Sequence, residues 1–186
     1  VTGEGFSVKG HTAAGDGAKL RTVLDYTDSA LEIDWTNAEE SCDQWVIGVF
    51  QGKDTKEPVY AEQLDRDSKA TTVSIDLDGE DLKVELSAMS NGKVVAKYDR
   101  IISLNPGVTV TIDTPEQTGS TTAEVSYDVG DKKVQAEIAV GEKSQKVQWE
   151  KNGTAAFEIA DMETQEICVV YGWETGSFYR ISRRIS

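Results

Sequence analysis

The feature that most constrains the fold of this chain is an internal repeat. The segment Val73–Gly92 reappears as Phe157–Gly176, 84 residues later and without a gap. Apolar positions superpose, for example Val84 on Cys168, and both segments close on a glycine. A repeat of this length predicts two copies of one structural unit.

The only good candidate for a linker between the copies is Leu104–Gly107, because a Pro-Gly pair ends a strand. It divides the chain into a first domain, residues 1–105, and a smaller second domain, residues 106–186. The first domain has a long N-terminal segment, and its first strand is either Phe6–Gly10 or Arg21–Tyr26. Since the connection is short, we expect the domains to form an extended rod with limited freedom.

Alternation of apolar and polar residues predicts strands along almost the whole chain. Leu31–Trp35 and Val108–Asp113 alternate with a period of two, and Gln44–Phe50 is a more continuous apolar run. Asn91-Gly92 predicts a tight hairpin. The nearest approach to a helical pattern is Pro58–Ala70, where we expect one short helical turn at most.

Six to eight short strands in each copy predict an all-β fold of two tandem antiparallel sandwiches. Leu31–Trp35 and Trp45–Phe50 resemble the B and C strands of a fibronectin type III module. Thr71–Gly92 resembles the E strand, the following corner and the F strand. The chain is therefore similar to tandem fibronectin type III or bacterial immunoglobulin-like modules, mostly in its first domain. Leu82 stands where that family usually has a corner tyrosine, so the corner must be held differently.

The formal net charge of −14 limits the partners of this chain. Phosphate contacts need clustered Lys and Arg, and an anionic membrane surface repels an acidic protein. No apolar run reaches the roughly 20 residues of a membrane span. We expect a monomer with no nucleic-acid partner and no membrane insertion. The opening residues, which lack an initiator Met, indicate a piece or mature form of a longer protein.

The sequence carries no recognisable catalytic set, and we expect no enzyme activity, cofactor or metal. His11 is the only histidine, and Cys42 and Cys168 are the only cysteines, too few for a typical zinc site. The acidic run Asp76–Asp81 places Gly79 fourth, whereas an EF-hand loop places its glycine sixth. This run is more typical of a polar turn, although calcium binding there stays open.

Aromatic residues provide the one candidate binding site. Tyr171 and Trp173 share a face of the strand Glu166–Trp173, and Tyr179 follows in the next strand. The first copy has solvated residues such as Ser87 at these positions. The pattern predicts an exposed aromatic strip that stacks on a sugar or contacts a protein. The alternative is that the strip packs against the adjoining domain, a neighbouring module or a long loop.

These observations favour a non-catalytic spacer, adhesion or presentation module of a larger bacterial surface or secreted protein. Such a module would lie outside the cell, and its partner would be a protein or glycan at the cell surface. The alternative is a carbohydrate-binding accessory module of a polysaccharide-degrading enzyme, with Tyr171 and Trp173 as ligand-binding residues.

Overall fold

A computed structural model describes residues 18–52, 56–113, 121–140, 143–159 and 165–185. All the regular secondary structure in these residues is β-strand, so the all-β prediction is confirmed. No helix suited to crossing a membrane occurs in these ranges. In chain order the strands are β1 Arg21–Asp25, β2 Ala30–Asp34, β3 Gln44–Gln51, β4 Tyr60–Asp65, β5 Ala70–Ser74, β6 Leu82–Ser90, β7 Lys93–Ile102, β8 Thr109–Asp113, β9 Thr121–Asp128, β10 Val134–Val140, β11 Lys143–Trp149, β12 Gly153–Ile159, β13 Gln165–Glu174 and β14 Ser177–Ile185.

The two halves of the chain repeat one strand order. The first, second and fifth strands of each half are neighbours, as β1-β2-β5 and β8-β9-β12. The other four follow the order β4-β3-β6-β7 and β11-β10-β13-β14. Gly92 and Gly176, which the repeat superposes, close equivalent hairpins with φ values of 78° and 81°. The all-β, sandwich-type pairing predicted from the sequence is therefore confirmed, while the count of two domains stays a prediction.

The halves lie side by side, and the expected extended rod is wrong. The last strand, β14, pairs in parallel with β1 and thereby joins strands of both halves into one seven-stranded sheet, β11-β10-β13-β14-β1-β2-β5. Strand pairing satisfies backbone groups that an end-to-end contact would leave to water. Because this sheet continues across the junction, the division into domains at residues 105 and 106 stays a prediction.

One hydrophobic core runs through both halves. Trp35 and Trp45 are fully buried in the first half, with ring centroids 6.1 Å apart. Trp149 is buried in the second half, while Tyr127 beside it is half-buried. Trp45 lies on β3 of the four-stranded sheet, Tyr127 on β9 of the three-stranded sheet and Trp149 on β11 of the seven-stranded sheet, so all three sheets contribute to the core.

The segment Pro58–Ala70 contains a strand where we expected at most a helical turn. β4 pairs antiparallel with β3, from Val49 beside Tyr60 to Gln44 beside Asp65. It is an edge strand with mostly exposed side chains, so its polar sequence shows no period-two burial. Pairing with β3 overrides the weak local pattern.

The ungapped offset of 84 residues is wrong within β13. In β6, Val84 and Leu86 point into the main core. Their superposed partners, Cys168 and Val170, lie instead in a second, small cluster on the opposite face of the seven-stranded sheet. The core residues of β13 are the intervening ones, including Tyr171. A slip of one residue moves every side chain of a strand to the other face.

The structure also locates the first strand and both cysteines. Of the two candidates for the first strand, the one at Arg21 is β1, while Phe6–Gly10 and His11 lie outside the described residues. Cys42 is half-buried between β2 and β3, Cys168 is buried on β13, and no disulfide joins them.

Candidate functional site at the junction of the two halves

Six aromatic rings meet where the halves join, and we call them the junction cluster. Its members are Tyr26, Tyr127, Trp149, Tyr171, Trp173 and Tyr179. Tyr171 on β13 lies directly opposite Tyr179 on β14, and Tyr26 follows β1. The parallel β1–β14 pair therefore brings the first half's Tyr26 against the second half's rings.

The rings form a continuous series of contacts. Trp149 stacks on Tyr127 with centroids 4.2 Å apart and tilts against Tyr171 at 6.4 Å. Tyr179 stacks with Tyr171 at 5.7 Å, with Trp173 at 5.1 Å and with Tyr26 at 5.9 Å. Each such pair adds about 0.5–1.5 kcal/mol beyond the burial of its area. Tyr179 thus ties the two halves together.

Two tyrosine hydroxyls fix the connection between the halves. Tyr179 donates to the carbonyl of Ser103 at 2.9 Å, and Tyr26 donates to the carbonyl of Leu104 at 3.0 Å. The Leu104 amide in turn donates to Asp81 at 3.1 Å, and the Leu104 side chain is buried. The predicted linker is therefore held in place by side chains from both halves.

Burial keeps these hydroxyls in their neutral, donating form. Desolvation raises the pKa of Tyr26 to about 12. It also raises the pKa values of Tyr171 and Tyr179, which the neighbouring phenol of Tyr26 raises further. A tyrosine with a raised pKa is a poor general base near neutral pH, so these rings act through packing and donation.

The structure does not expose the aromatic strip that the sequence predicted. Tyr171 is 2% exposed and Tyr179 is 4% exposed, while Trp173 is half-buried. The expectation of exposure was wrong because the slip in β13 turns Tyr171 inward and β1 covers the edge of β14. Binding of a ligand by Tyr171, Trp173 and Tyr179 stays a prediction, and the packing alternative accounts for their contacts.

A cleft beside Trp173 opens at this junction. Its volume is about 310 Å³. It is lined by Ile101, Ser103, Asn105, Pro106, Lys132, Trp173, Glu174, Ser177 and Tyr179. The ammonium of Lys132 lies 5.7 Å from the centre of the Trp173 ring, a cation–π contact. Because Tyr179 also stacks on this ring at 5.1 Å, Trp173 already has two partners.

Buried ion pairs join β1, β2 and β14 on the face opposite the core. Arg180 of β14 lies 3.2 Å from Asp25 of β1 and hydrogen-bonds Glu32 of β2. Beside them, Arg21 donates to Asp34 at 2.9 Å. Burial alone would lower the pKa of Arg180, but the hydrogen bonds and charges of Glu32 and Asp25 outweigh it and raise the pKa. Arg180 therefore stays charged.

Sequence reasoning missed these ion pairs. A signal was present, since Arg21 and Asp25 flank the uncharged run Thr22–Leu24 and Arg180 follows the aromatic pair Phe178-Tyr179. A buried charge is tolerated where an opposite charge faces it. The sequence did not show that β1 and β14 are neighbours, because they are the first and last strands of the described chain.

The acidic run Asp76–Asp81 makes a hydrogen-bonded turn. Asp76 accepts from the Asp78 amide at 3.0 Å, and Asp81 accepts from the linker. Gln51 donates to the carbonyls of Asp76 and Glu80, at 2.8 and 2.9 Å. Across the described ranges, no group of three or more His, Cys, Asp or Glu is placed to hold a metal ion.

Comparisons with known proteins give likenesses of fold. No family model and no curated protein matches the sequence. A two-domain fibronectin type III segment of chicken tenascin matches with a TM-score of 0.37 and 13% identity, over 90% of this chain and 97% of that chain. The FN1–FN3 segment of chicken CNTN1 gives 0.36 and 12%, over 90% and 63%. A cytokine receptor complex gives 0.34 and 12%, over 90% and 95%. These likenesses say nothing about the activity of this chain.

Proposed function

We propose that this chain is a non-catalytic spacer module of a larger protein, built to carry load between its neighbours. The observation that carries this proposal is the parallel pairing of β1 with β14. Among the described residues β1 is the first strand and β14 the last, and the two run in the same direction. A neighbouring module attached before β1 and one attached after β14 would therefore lie at opposite ends of this strand pair.

Tension applied to the two ends would load the β1–β14 contacts in shear. The Thr22 amide donates to Gly176 at 2.9 Å, and the Tyr26 amide donates to Arg180 at 3.0 Å. Thr27 exchanges two further hydrogen bonds with Ser182. Pulling along the strands would strain these bonds together, whereas pulling across the strands would open them one at a time.

The junction also supports a fixed geometry between the attached neighbours. Tyr26 and Tyr179 hold the connection, and Arg180 joins three strands through Asp25 and Glu32. A spacer with this junction would present its neighbours at a constant orientation. We place this spacer on a bacterial cell surface or in a secreted protein, where a protein or glycan would be its partner. That location is part of the proposal.

Force spectroscopy with two attachment geometries tests the load-bearing role. Handles at Lys19 and Arg183 load the strand pair in shear, while handles at Asp28 and Arg183 peel it from one end. We expect a clearly higher unfolding force in the first geometry, because forced unfolding is governed by the unfolding rate under load. Equal forces in both geometries would contradict the proposal.

Carbohydrate binding is the second candidate, because a half-buried tryptophan lines a cleft. The residues Asn105, Lys132 and Glu174 would supply hydrogen bonds beside Trp173. A glycan array with the native chain and with Trp173→Ala tests this use. Retention of a sugar that is lost in Trp173→Ala would support it, and no retained sugar would remove it. Tyr127→Phe, a change within the junction cluster and away from the cleft lining, serves as the matched control.

A further inference from the structure

The exposed edge of β7 is equivalent to the edge of β14 that β1 occupies. Both strands follow a hairpin that closes on a positive-φ glycine, and both are the seventh strand of their half. In the described residues β7 has a strand neighbour, β6, on one side only, whereas β14 lies between β13 and β1. The two edges can therefore be compared position by position.

β7 contains one extra residue, Val95, that has no counterpart in β14. The register between β6 and β7 shifts there, from Ala88 beside Ala96 to Met89 beside Val94. With Val95 set aside, Val94 takes the position of Phe178 and Lys97 takes the position of Arg180. From Ala96 to Ile102 the strand is regular, so seven residues present an even edge.

The side chains on the two edges have similar chemistry. On β14, Phe178 lies beside Val23, and Arg180 forms an ion pair with Asp25 of β1. On β7, Val94 and Val95 are 56% and 51% exposed, and Ile101 is 72% exposed. Within the described part of the chain, Lys97 pairs with the surface carboxylate of Glu85, at 3.7 Å. The apolar and basic groups that receive β1 thus have unburied counterparts on β7.

We propose that the edge of β7 binds an extended protein segment that resembles β1, with an apolar residue two positions before a carboxylate. The added strand runs parallel to β7, and its carboxylate pairs with Lys97. Main-chain hydrogen bonds supply most of the affinity, and the two side-chain positions supply the selectivity. This inference goes beyond the spacer role and does not depend on it.

The charges around β7 fit an acidic segment. Lys93, Lys97 and Arg100 lie on β7 with one acidic residue, Asp99, so this strand is locally basic within a chain of net charge −14. The bulge at Val95 twists the edge, a device that discourages indiscriminate pairing along its whole length. An added strand has to place its apolar residue at Val94 and its carboxylate at Lys97, on the two sides of this bulge. A short, oriented segment is therefore favoured over another long sheet edge.

The probe is a labelled synthetic peptide of residues 20–27 of this chain, LRTVLDYT, added to the intact protein. Fluorescence anisotropy measures its binding, and hydrogen exchange maps the protected amides. We expect saturable binding, with new protection within Val94–Asp99. A peptide with Asn in place of Asp25 should bind at least several-fold more weakly. Loss of protection in β14 would instead show that the peptide displaces β1, and this would overturn the proposal.

Lys97→Glu and Lys83→Glu form a matched pair of variants. Both lysines contact Glu85, and their side chains are similarly exposed, but Lys83 belongs to the interior strand β6. We expect Lys97→Glu to abolish most binding and Lys83→Glu to change it little. A peptide with Lys in place of Asp25 should recover binding to Lys97→Glu. Equal losses in both variants, or no saturable binding of the native peptide, would overturn the proposal.

Discussion

The hairpins β6–β7 and β13–β14 occupy equivalent places in the two halves, yet their outer faces differ. The outer face of β6–β7 is exposed to solvent, and Lys83 and Lys97 pair with Glu85 on it. The outer face of β13–β14 is dry and carries Val170, Phe178 and the buried Arg180. Part of this difference is local, since the outer face of β6 carries Lys83, Glu85 and Ser87 where that of β13 carries Cys168 and Val170.

Pairing with β1 adds to this difference. It converts β14 from an edge strand into an interior strand and places Arg180 against Asp25. It also encloses Tyr179 among the rings of the junction cluster. The equivalent strands β7 and β14 thus form an exposed edge in one half and a joint between halves in the other. Substitutions at matched positions should therefore differ in their effect on stability.

The largest contrast is expected between Tyr171→Ala and Ser87→Ala, which the ungapped repeat superposes. Tyr171 is buried against Trp149 and Tyr179, so its truncation should lower the free energy of unfolding by about 3–5 kcal/mol. Ser87→Ala on the outer face of β6 should change it by less than about 0.5 kcal/mol. Urea unfolding of both variants measures the two values. Similar values would show that β13 does not slip relative to β6.

Arg180→Met and Lys97→Met compare the basic residues of the two last strands. Arg180→Met leaves Asp25 buried without its ion pair, although the carboxylate keeps hydrogen bonds from the Thr27 and Asp28 amides. We expect a loss of about 3 kcal/mol.

Lys97→Met, at the surface, should change stability by less than about 0.5 kcal/mol. Chemical unfolding monitored by tryptophan fluorescence gives both values. A small effect of Arg180→Met would mean that the β1–β14 joint does not bury this charge.

Tyr179→Phe tests the hydroxyl that holds the connection. The Ser103 carbonyl would lose its donor at a part-buried site, so we expect a loss of about 1 kcal/mol. Tyr98→Phe on β7 removes a hydrogen bond to Glu40, whose carboxylate can turn to water. Its effect should be smaller than that of Tyr179→Phe. Thermal melts of the two variants rank them, and the reverse order would contradict the role of the joint.

The smallest effect concerns Tyr26 and Tyr98, whose pKa values are raised by different causes. Both have a pKa raised to about 12, Tyr26 by burial and Tyr98 chiefly by its hydrogen bond to Glu40. A raised tyrosine pKa means that the folded state holds more protons than the unfolded state above pH 10. Stability should therefore fall as pH rises from 10 towards about 12.

The variant Glu40→Gln separates the two causes. It should lower the pKa of Tyr98 and leave that of Tyr26 unchanged, because burial at the junction does not involve Glu40. NMR titration of the two labelled rings measures both values. A parallel decrease for Tyr26 would show that its pKa depends on charge rather than on burial.

Much of the fold was available from the sequence because its signals are local. Leu31–Trp35 alternates, Asn91-Gly92 closes a hairpin, and the repeat gives two sets of strands. The edge strand β4 was missed because its exposed polar residues carry no alternation. Local propensity decides such elements less than their pairing partner does.

The site was harder to predict because it depends on contacts between the chain's ends. The sequence identified Tyr171 and Tyr179 as notable aromatics, but a one-residue slip and the pairing with β1 place them inside. Arg180 and Asp25 are 155 residues apart, and no local pattern joins them. A single sequence predicts which face of a sheet a side chain occupies only where the strand register is known.

The most direct test is the detection of hydrogen bonds between β1 and β14 in solution. Through-hydrogen-bond NMR couplings should link the Thr22 amide to the Gly176 carbonyl and the Tyr26 amide to the Arg180 carbonyl. Both amides should also exchange slowly with solvent. If these couplings are absent and both amides exchange as fast as those of an exposed edge strand, the halves do not share a sheet and the joint described for β14 does not exist.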